Sequence, residues 1–318
     1  MILWPHYPML LIDRSIVAIG RIRCKQSAFL WAQQMHNMAA LRVSRKSFTR
    51  RYTDRTRALS KLVANLPNRA SPDEIHDLRV AIRRIQMMRR LMPGSLKVSE
   101  DSKRFDFALR SVMKATSQLR DMDTLVETLE SQVRSVPAEL LVSLENQRSD
   151  AAARAKVATE VLKEALAPEL DASALRGKRL SKRLRKRVRR RSKGASSMLA
   201  AVLEDESKAV ELHSLRKEVK KMRYLIELAE KPPSRLPSLE KWQESLGAIR
   251  DLDVAIAYLE GAFGESGQRA ILELQRARHL NYLKFVRSYT TGRMLAQRAR
   301  RSPPMGALDL ANLNPDEE

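Results

Sequence analysis

The sequence contains little of what many fold classes depend on. Glycine accounts for only 10 of the 318 residues, aromatic residues for 5%, and cysteine for the single residue Cys24. Phosphate loops need glycine at their turns, and two-layer β proteins favour aromatic and β-branched residues, so both classes are excluded. One cysteine permits no internal disulfide, and no histidine has the close spacing of structural zinc ligands. We therefore expect neither a metal nor a cofactor.

Long apolar runs are also lacking. Asp13, Arg14 and Arg21 interrupt the apolar start of the chain, so no run reaches the roughly 18 residues of a membrane span. The basic residues follow the apolar ones, which is the reverse of the order in a signal peptide. We expect residues 1–41 to be an N-terminal extension with a helical segment, and Met35 or Met38 is a candidate natural start.

Positive charge is what the sequence has in abundance. Lys and Arg number 60 against 37 Asp and Glu, which gives a formal net charge of +23. The 43% of apolar residues can fill a core, while the abundance of Leu, Ala, Arg, Lys and Glu favours helix. No segment alternates with the period of two that marks a strand. These features predict an all-α, strongly basic protein with a polyanionic partner.

Two motifs occur twice in the same order. The pattern His-x-Leu-Arg-x-x-apolar-basic-basic begins at His76 and again 137 residues later at His213. Each copy is followed by Arg-Asp-x-Asp, first at Arg120 and then at Arg250. This repetition indicates an internal duplication, with units of the size of a small helical bundle. We therefore expect two four-helix bundles, at residues 42–168 and 169–300, and a disordered tail at 301–318.

Start and stop signals divide each copy into helical segments. Ser71-Pro72 precedes the first His motif and Pro93-Gly94 follows it, which marks both ends of a helix. Aspartate is a good N-cap, so Asp121 and Asp251 are expected to begin helices. The predicted segments are 46–66, 73–92, 100–119, 121–133 and 138–166 in the first copy, and 175–193, about 203–230, 239–249, 251–262 and 267–299 in the second.

Each His motif places a row of cations beside the apolar stripe of its helix, because successive residues turn by about 100°. One alternative is a solvated basic face paired with acids at i±4. However, no acid follows Asp77 before Met92, and the row occurs twice. Within the helix expected over 175–193, the stretch Arg176–Lys193 adds 12 Lys or Arg and no acid. The two rows are His76, Arg79, Arg83 and Arg90, and His213, Arg216, Lys220 and Arg223.

These motifs resemble those of the CHAD family, the conserved histidine α-helical domain. The family pattern His-x-x-Arg-Val-x-x-Arg-Arg matches from His76 to Arg84, and its relative His-x-x-Arg-x-x-x-Lys-x-x-Arg-Tyr matches from His213 to Tyr224. Over residues 42–300 the resemblance implies two bundles related by a pseudo-twofold axis, with a shared basic groove. It also implies binding of inorganic polyphosphate in the cytoplasm, on polyphosphate granules in bacteria that make them.

On this basis we predict a set of basic residues that contact polyphosphate. Two residues depart from the family pattern and lower the charge of the site, namely Gln86 in the first His motif helix and Glu227 at the place of Arg90 in the second. The predicted contacts are Lys46, Arg50, His76, Arg79, Arg83, Arg84, Arg90, Arg120, Arg183, Arg187, His213, Arg216, Lys220, Arg223 and Arg250.

Three other functions remain open at this point. The same basic surface could bind RNA, or nucleic acid weakly and without specificity, since charge neutralisation carries no sequence information. A scaffold could use Arg176–Lys193 to dock on anionic granules or membranes. A hydrolase is the third, because Glu204-Asp-Glu206-Ser-Lys208 matches the signature of the CYTH triphosphatase domain that some relatives carry. We treat that match as coincidence, and with no nucleophile–base pair we expect a stand-alone binding domain without enzyme activity.

Overall fold

The chain folds into α-helices, as expected. The computed structural model describes residues 40–67, 69–165, 167–231, 236–263 and 267–301, and these contain no strand. Two short 3₁₀ helices, Gly94–Lys97 and Ala172–Ala174, precede the third and fifth α-helices. The described α-helices are α1 (Arg45–Ala64), α2 (Pro72–Leu91), α3 (Glu100–Gln132), α4 (Ala138–Glu164), α5 (Gly177–Glu204), α6 (Ala209–Ile226), α7 (Leu236–Phe263) and α8 (Gln268–Arg301).

Serine caps fix the starts of the first three helices. The side chain of Ser71 accepts a hydrogen bond from the Glu74 N–H, and the Glu74 carboxylate accepts one from the Ser71 N–H, with Pro72 at the first helical position. This reciprocal arrangement satisfies two backbone donors that the helix leaves free. Ser44 and Ser99 cap α1 and α3 in a similar way. The sequence signal at Ser71-Pro72 is therefore confirmed.

Two predicted helix breaks are wrong. α3 runs through Asp121 and α7 runs through Asp251 without interruption, so neither aspartate is an N-cap. No proline stands at either point, and the buried stripe of α3 continues from Leu119 to Leu125. Packing of that continuous stripe outweighs the capping preference of one residue. Both aspartates consequently lie in the interior of long helices rather than at their ends.

The boundary between the basic helix and the second His helix also differs from the prediction. α5 continues past Lys193 to Glu204, and α6 spans only Ala209–Ile226 rather than about 203–230. The cause is a turn in which the Asp205 carboxylate accepts hydrogen bonds from the N–H and hydroxyl of Ser207. Aspartate competes with the helix in this way by binding backbone two residues ahead.

The helices form two halves of four that share buried apolar clusters. Consecutive helices pack together within α1–α4 and within α5–α8, and across the halves α2 contacts α6 while α3 contacts α7. The largest buried apolar cluster contains side chains of both halves, such as Leu78 and Met88 from α2 and Val219 and Met222 from α6. The two His helices are thus brought together, while the duplication itself stays a prediction.

Several expectations concern residues beyond this fold. The extension up to residue 39, its candidate starts Met35 and Met38, and the tail from residue 302 lie outside the described residues. None of the described helices has both the length and the apolar composition that crossing a bilayer requires. The proposed bundle boundaries at residues 42, 168 and 300 stay predictions.

Candidate functional site

The two His helices and the two Arg-Asp-x-Asp helices meet where the halves join. Arg83 of the first half acts electrostatically on Arg216 and Lys220 of the second, and Arg120 acts on Asp251. We call this group the junction cluster. It comprises His76, Arg79, Arg83, Arg120 and Asp121 from the first half, and Arg216, Lys220, Arg250 and Asp251 from the second.

Arg79 is the most buried cation of the junction cluster, with 7% of its surface exposed. Its Nη1 donates hydrogen bonds to the Met113 carbonyl (3.0 Å) and to the Thr116 hydroxyl (2.7 Å), both on α3. Burial and the nearby Arg83 lower the pKa of Arg79 to about 10, which leaves it charged at neutral pH. Its Nε is buried and has no hydrogen-bond partner among the described residues. Arg79 therefore anchors α2 to α3 and still presents a free donor.

Lys220 lies on α6 among four arginines. Burial, followed by repulsion from Arg83, Arg216, Arg79 and Arg223, lowers its pKa to about 7. A lysine normally titrates far above neutral pH, so this amine is only partly protonated under physiological conditions. The positive charges around Lys220 are thus not balanced by neighbouring acids among the causes of its pKa shift.

The first aspartate of each Arg-Asp-x-Asp motif belongs to the junction cluster. Burial raises the pKa of Asp121, opposed by Arg79 of its own half and by Arg250 of the other. Burial likewise raises the pKa of Asp251, opposed by Arg216 and by Arg120 across the junction. Each half therefore places a carboxylate beside an arginine of the other half. These two carboxylates, and Glu127 at 3.8 Å from the Arg120 Nη2, face six Lys and Arg side chains, which leaves the cluster cationic.

The second aspartate of each motif has a structural role. Asp123 accepts a hydrogen bond from the Arg148 Nε (2.7 Å), and Asp253 accepts one from the Arg278 Nε (2.6 Å). Each of these arginines also reaches a backbone carbonyl just before a His helix, at Ala70 in the first half and at Glu206 in the second.

Sequence reasoning missed Arg148 and Arg278. Each follows its aspartate by 25 residues, and this equal spacing is the signal that could have identified them. The pairs fasten the fourth helix of each half to the start of its His helix.

The surroundings of the two motif histidines lower the pKa of each. Burial and the nearby Arg120 lower the pKa of His76. Burial, Lys217 and Arg250 lower the pKa of His213 to about 4. The Nδ1 of His213 is buried and has no hydrogen-bond partner within the described part of the chain. His213 therefore contributes hydrogen-bonding atoms to this region rather than charge, and the same shift disfavours the charged form of His76.

Arg84 is paired with an acid, contrary to the expectation that acid partners of the first His row are absent, and Arg223 shares the same acid. The Glu227 carboxylate lies 3.5 Å from the Nε of each. Arg223 also approaches Glu240 at 3.5 Å and stacks over the Tyr224 ring, 4.8 Å from its centroid. On α2, Arg89 is likewise paired, with Asp106 of α3. The expectation for the first His helix considered only acids on that helix, whereas tertiary packing brings Glu227 to Arg84 and Asp106 to Arg89. For Arg223, Glu227 is the i+4 residue at the end of its own helix.

Arg90, Arg183 and Arg187 lie at the opposite end of α2 from His76. Arg183 donates to the Leu91 carbonyl (3.0 Å) and Arg187 to the Arg90 carbonyl (2.8 Å). Helix carbonyls in the last turn lack internal partners, and cations there are favourable. Burial is the largest cause of the lowered pKa of Arg187, followed by repulsion from Arg90 and Arg191. The structure thus brings these three together, but apart from the junction cluster.

The remaining predicted contacts are Lys46 and Arg50. Both are exposed on α1, and neither takes part in the interactions that define the junction cluster. Their neighbour Arg51 on the same helix is instead engaged, since it donates to the carbonyls of Glu227 and Ala229. The first helix thus contributes to holding the end of α6.

Aromatic side chains offer no stacking platform at the junction cluster. Tyr224 is only 3% exposed, and among the described aromatic side chains Phe107 alone is well exposed, at 61% on α3. The Glu204–Lys208 string forms the end of α5 and a turn, not a strand, and Glu206 pairs with Arg278 and His279. Across the described residues, no three His, Cys, Asp or Glu side chains are grouped to hold a metal ion.

A family model and a solved structure are similar to this chain. The family model described as "CHAD domain" matches residues 55–260. A crystal structure of the CHAD domain from the plant Ricinus communis is 21% identical, with a TM-score of 0.43, and the match covers 83% of this chain and 89% of that one. No curated protein matches the sequence.

Proposed function

The chain belongs to the CHAD family, and from this membership together with the junction cluster we propose that it binds inorganic polyphosphate. The observation that carries the proposal is the concentration of cations where the halves meet. Arg79, Arg83 and Arg120 meet Arg216, Lys220 and Arg250 there, and the neighbouring acids are Asp121, Asp251 and, 3.8 Å from Arg120, Glu127. Such a group is unfavourable unless an anion joins it.

The donors left free in this region suit phosphate oxygens. The Nε atoms of Arg79 and Arg216 are buried and have no hydrogen-bond partner among the described residues. A buried donor without an acceptor is costly, and guanidinium groups bind phosphate by charge and by paired hydrogen bonds. A phosphate chain lying along the junction cluster would satisfy these donors and the charges together.

Several features favour polyphosphate over nucleic acid. Proteins that bind single strands without sequence preference stack the bases on aromatic side chains, and Tyr224 beside the cluster is buried. A polymer without bases needs only charge and donors. We further propose that binding involves no hydrolysis, and that it places the protein on polyphosphate granules in the cytoplasm.

A pair of matched double variants tests the proposal. Arg83→Gln with Arg250→Gln removes one junction-cluster cation from each half, and neither residue forms a hydrogen bond within the described structure. We expect affinity for long-chain polyphosphate to fall about 50-fold, because two charge-assisted contacts are lost. The measurement is a titration of labelled polyphosphate at constant salt.

The control is Lys156→Gln with Lys241→Gln. Both lysines are exposed, one in each half, and this variant removes the same net charge. We expect less than a threefold change. Equal losses in the two double variants would show that net charge, rather than the junction cluster, is responsible for binding.

A further inference from the structure

An acid ends the cation row of α6. The row places Arg216, Lys220 and Arg223 on successive turns, and the position one turn further is Glu227. One turn of helix rises about 5.4 Å, so the row leads along α6 directly to this carboxylate. Lys220 is repelled both by Arg83 of the junction cluster and by Arg223, which lies beside Glu227. The cations from Arg216 to Arg223 therefore form a continuous band that meets an acid at one end.

Glu227 is held firmly in this position. Its carboxylate lies 3.5 Å from the Nε of both Arg84 and Arg223, and its side chain is 14% exposed. Its backbone carbonyl accepts a hydrogen bond from Arg51 of α1 (2.9 Å). Glu227 also acts electrostatically on Arg55, another α1 cation. An acid thus separates the cations of the junction cluster from those of α1.

The contacts of Glu227 neutralise charge without satisfying the donors. The Nε atoms of Arg84 and Arg223 remain buried and without a hydrogen-bond partner among the described residues, as does the Nη1 of Arg55. A phosphate could use these donors, but it would have to approach a fixed carboxylate. The negative charges of the phosphate and of the Glu227 carboxylate would repel each other at close range. The ion pairs of Glu227 with Arg84 and Arg223 would also have to break.

We propose that Glu227 is an internal competitor that ends the polyphosphate site at this side and so limits how many phosphates the site holds. This inference rests on the proposed function of the junction cluster. A bound chain occupies the band as far as Lys220 and does not contact Arg84, Arg223 or Arg55. Without the carboxylate, the band would continue from the junction cluster to the α1 cations.

The test compares Glu227→Gln with Glu218→Gln. Glu218 is a matched control on α6, because it also pairs with two cations, Arg191 and Lys221, and its side chain is 16% exposed. Both variants raise the net charge by one. The readout is the dependence of long-chain polyphosphate affinity on salt, since the slope of log K against log salt reports the number of phosphate contacts.

We expect Glu227→Gln to bind about fivefold tighter than the wild type, with a slope steeper by about 1.4, which corresponds to two added phosphate contacts. Glu218→Gln should change the affinity and the salt slope only as much as one added positive charge at a distant surface position would. Adding Arg223→Gln to Glu227→Gln should remove the gain. Equal slopes in the two single variants would overturn the inference.

Single substitution of Arg223 keeps the inference testable should Glu227→Gln fail to fold. In the wild type, Arg223 is already engaged in an ion pair with Glu227. Arg223→Gln should therefore reduce the affinity for polyphosphate less than twofold, whereas Arg83→Gln should reduce it several-fold. Comparable losses would overturn the inference. If the wild type does not bind polyphosphate at all, the proposed function itself fails, and that result is distinct from each of these outcomes.

Discussion

Lys220 shows at the scale of one residue why the junction cluster is suited to an anion. Its amine has a pKa of about 7 because it is buried among Arg83, Arg216, Arg79 and Arg223. Folding therefore lowers the pKa from about 10.5, and the unfolded chain binds more protons than the folded one between these values. The charged Lys220 amine therefore destabilises the folded state. This destabilisation is fully present below pH 7 and disappears as the pH rises towards 10. A bound polyanion reverses the effect by favouring the protonated amine.

Binding should consequently depend on pH through Lys220. We expect polyphosphate affinity to fall about tenfold between pH 6.5 and pH 8.5, as the free protein loses the proton that the complex retains. Titration calorimetry at pH 8 in buffers of different ionisation enthalpy should show proton uptake on binding. Long chains are the right probe, because their few terminal phosphates add little titration of their own.

Lys220→Met provides the comparison for this pH dependence. Its affinity should be lower at pH 6.5 but nearly constant up to pH 8.5, and its proton uptake at pH 8 should be smaller than that of the wild type. Without ligand, it should unfold at a higher temperature than the wild type near pH 6.5, with a difference that shrinks as the pH rises. Parallel pH profiles in the two proteins would contradict the role assigned to Lys220.

At the scale of the helices, the Arg-Asp-x-Asp motif divides two tasks between residues two positions apart. Asp251 faces the junction cluster with a raised pKa, whereas Asp253 is 6% exposed and paired with Arg278. The buried pair ties α8 to α7 and, through the Glu206 carbonyl, to the start of α6. One motif thus both shapes the site and fastens the helices that form it.

This division predicts different consequences for the two aspartates. Asp253→Asn weakens the charged hydrogen bond to the buried Arg278 Nε, while Glu206 still pairs with the Arg278 Nη1. We therefore expect a loss of about 2 kcal/mol in the free energy of unfolding. Asp251→Asn should change stability by less than about 1 kcal/mol and should tighten polyphosphate binding, because it removes a negative charge from the cluster. Denaturant unfolding of both variants measures the difference, and equal destabilisation would refute it.

Much of the helical architecture could be predicted from local signals, and the errors have a common cause. The start of α2 was readable because Ser71, Pro72 and Glu74 form a cap among near neighbours. The break at Asp121 was predicted wrongly, since the capping preference was judged without the tertiary packing of Leu119 and Leu125.

The partners of the cations were beyond local reasoning. Arg148 meets Asp123, and Arg84 meets Glu227, only because separate helices pack together. The cation rows themselves followed from helical periodicity. The pair of Arg223 with Glu227 is an i,i+4 contact that the sequence itself offers. That Arg84 shares this acid could be known only from the fold.

The molecule as a whole combines a large excess of positive charge with two halves that pack against each other. The formal charge is +23, and α5 with its N-cap carries 12 Lys or Arg between Arg176 and Lys193. Yet the two halves share buried apolar clusters, with cations where they meet. Self-repulsion on this scale opposes the compact state, and a polyanion that bridges the halves would relieve it.

Net charge by itself does not identify the polyanion. Counterion release strengthens binding to any dense row of phosphates, whether in polyphosphate or in RNA. The junction cluster differs from a generic basic surface in one respect, which is that its donors include buried ones such as those of Arg79 and Arg216. A chain of bare phosphates can reach such donors more closely than phosphates flanked by sugars and bases.

The most direct test of selective binding at the junction cluster is a competition titration. Labelled long-chain polyphosphate is bound to the protein at about 0.15 M salt, where long-range screening is close to physiological, and is then challenged with RNA and with DNA at matched phosphate concentrations. Unlabelled polyphosphate is the positive control. We predict that unlabelled polyphosphate displaces the probe while nucleic acid does not. Displacement by RNA at the same phosphate concentration would contradict selective binding and would identify the surface as a general polyanion binder.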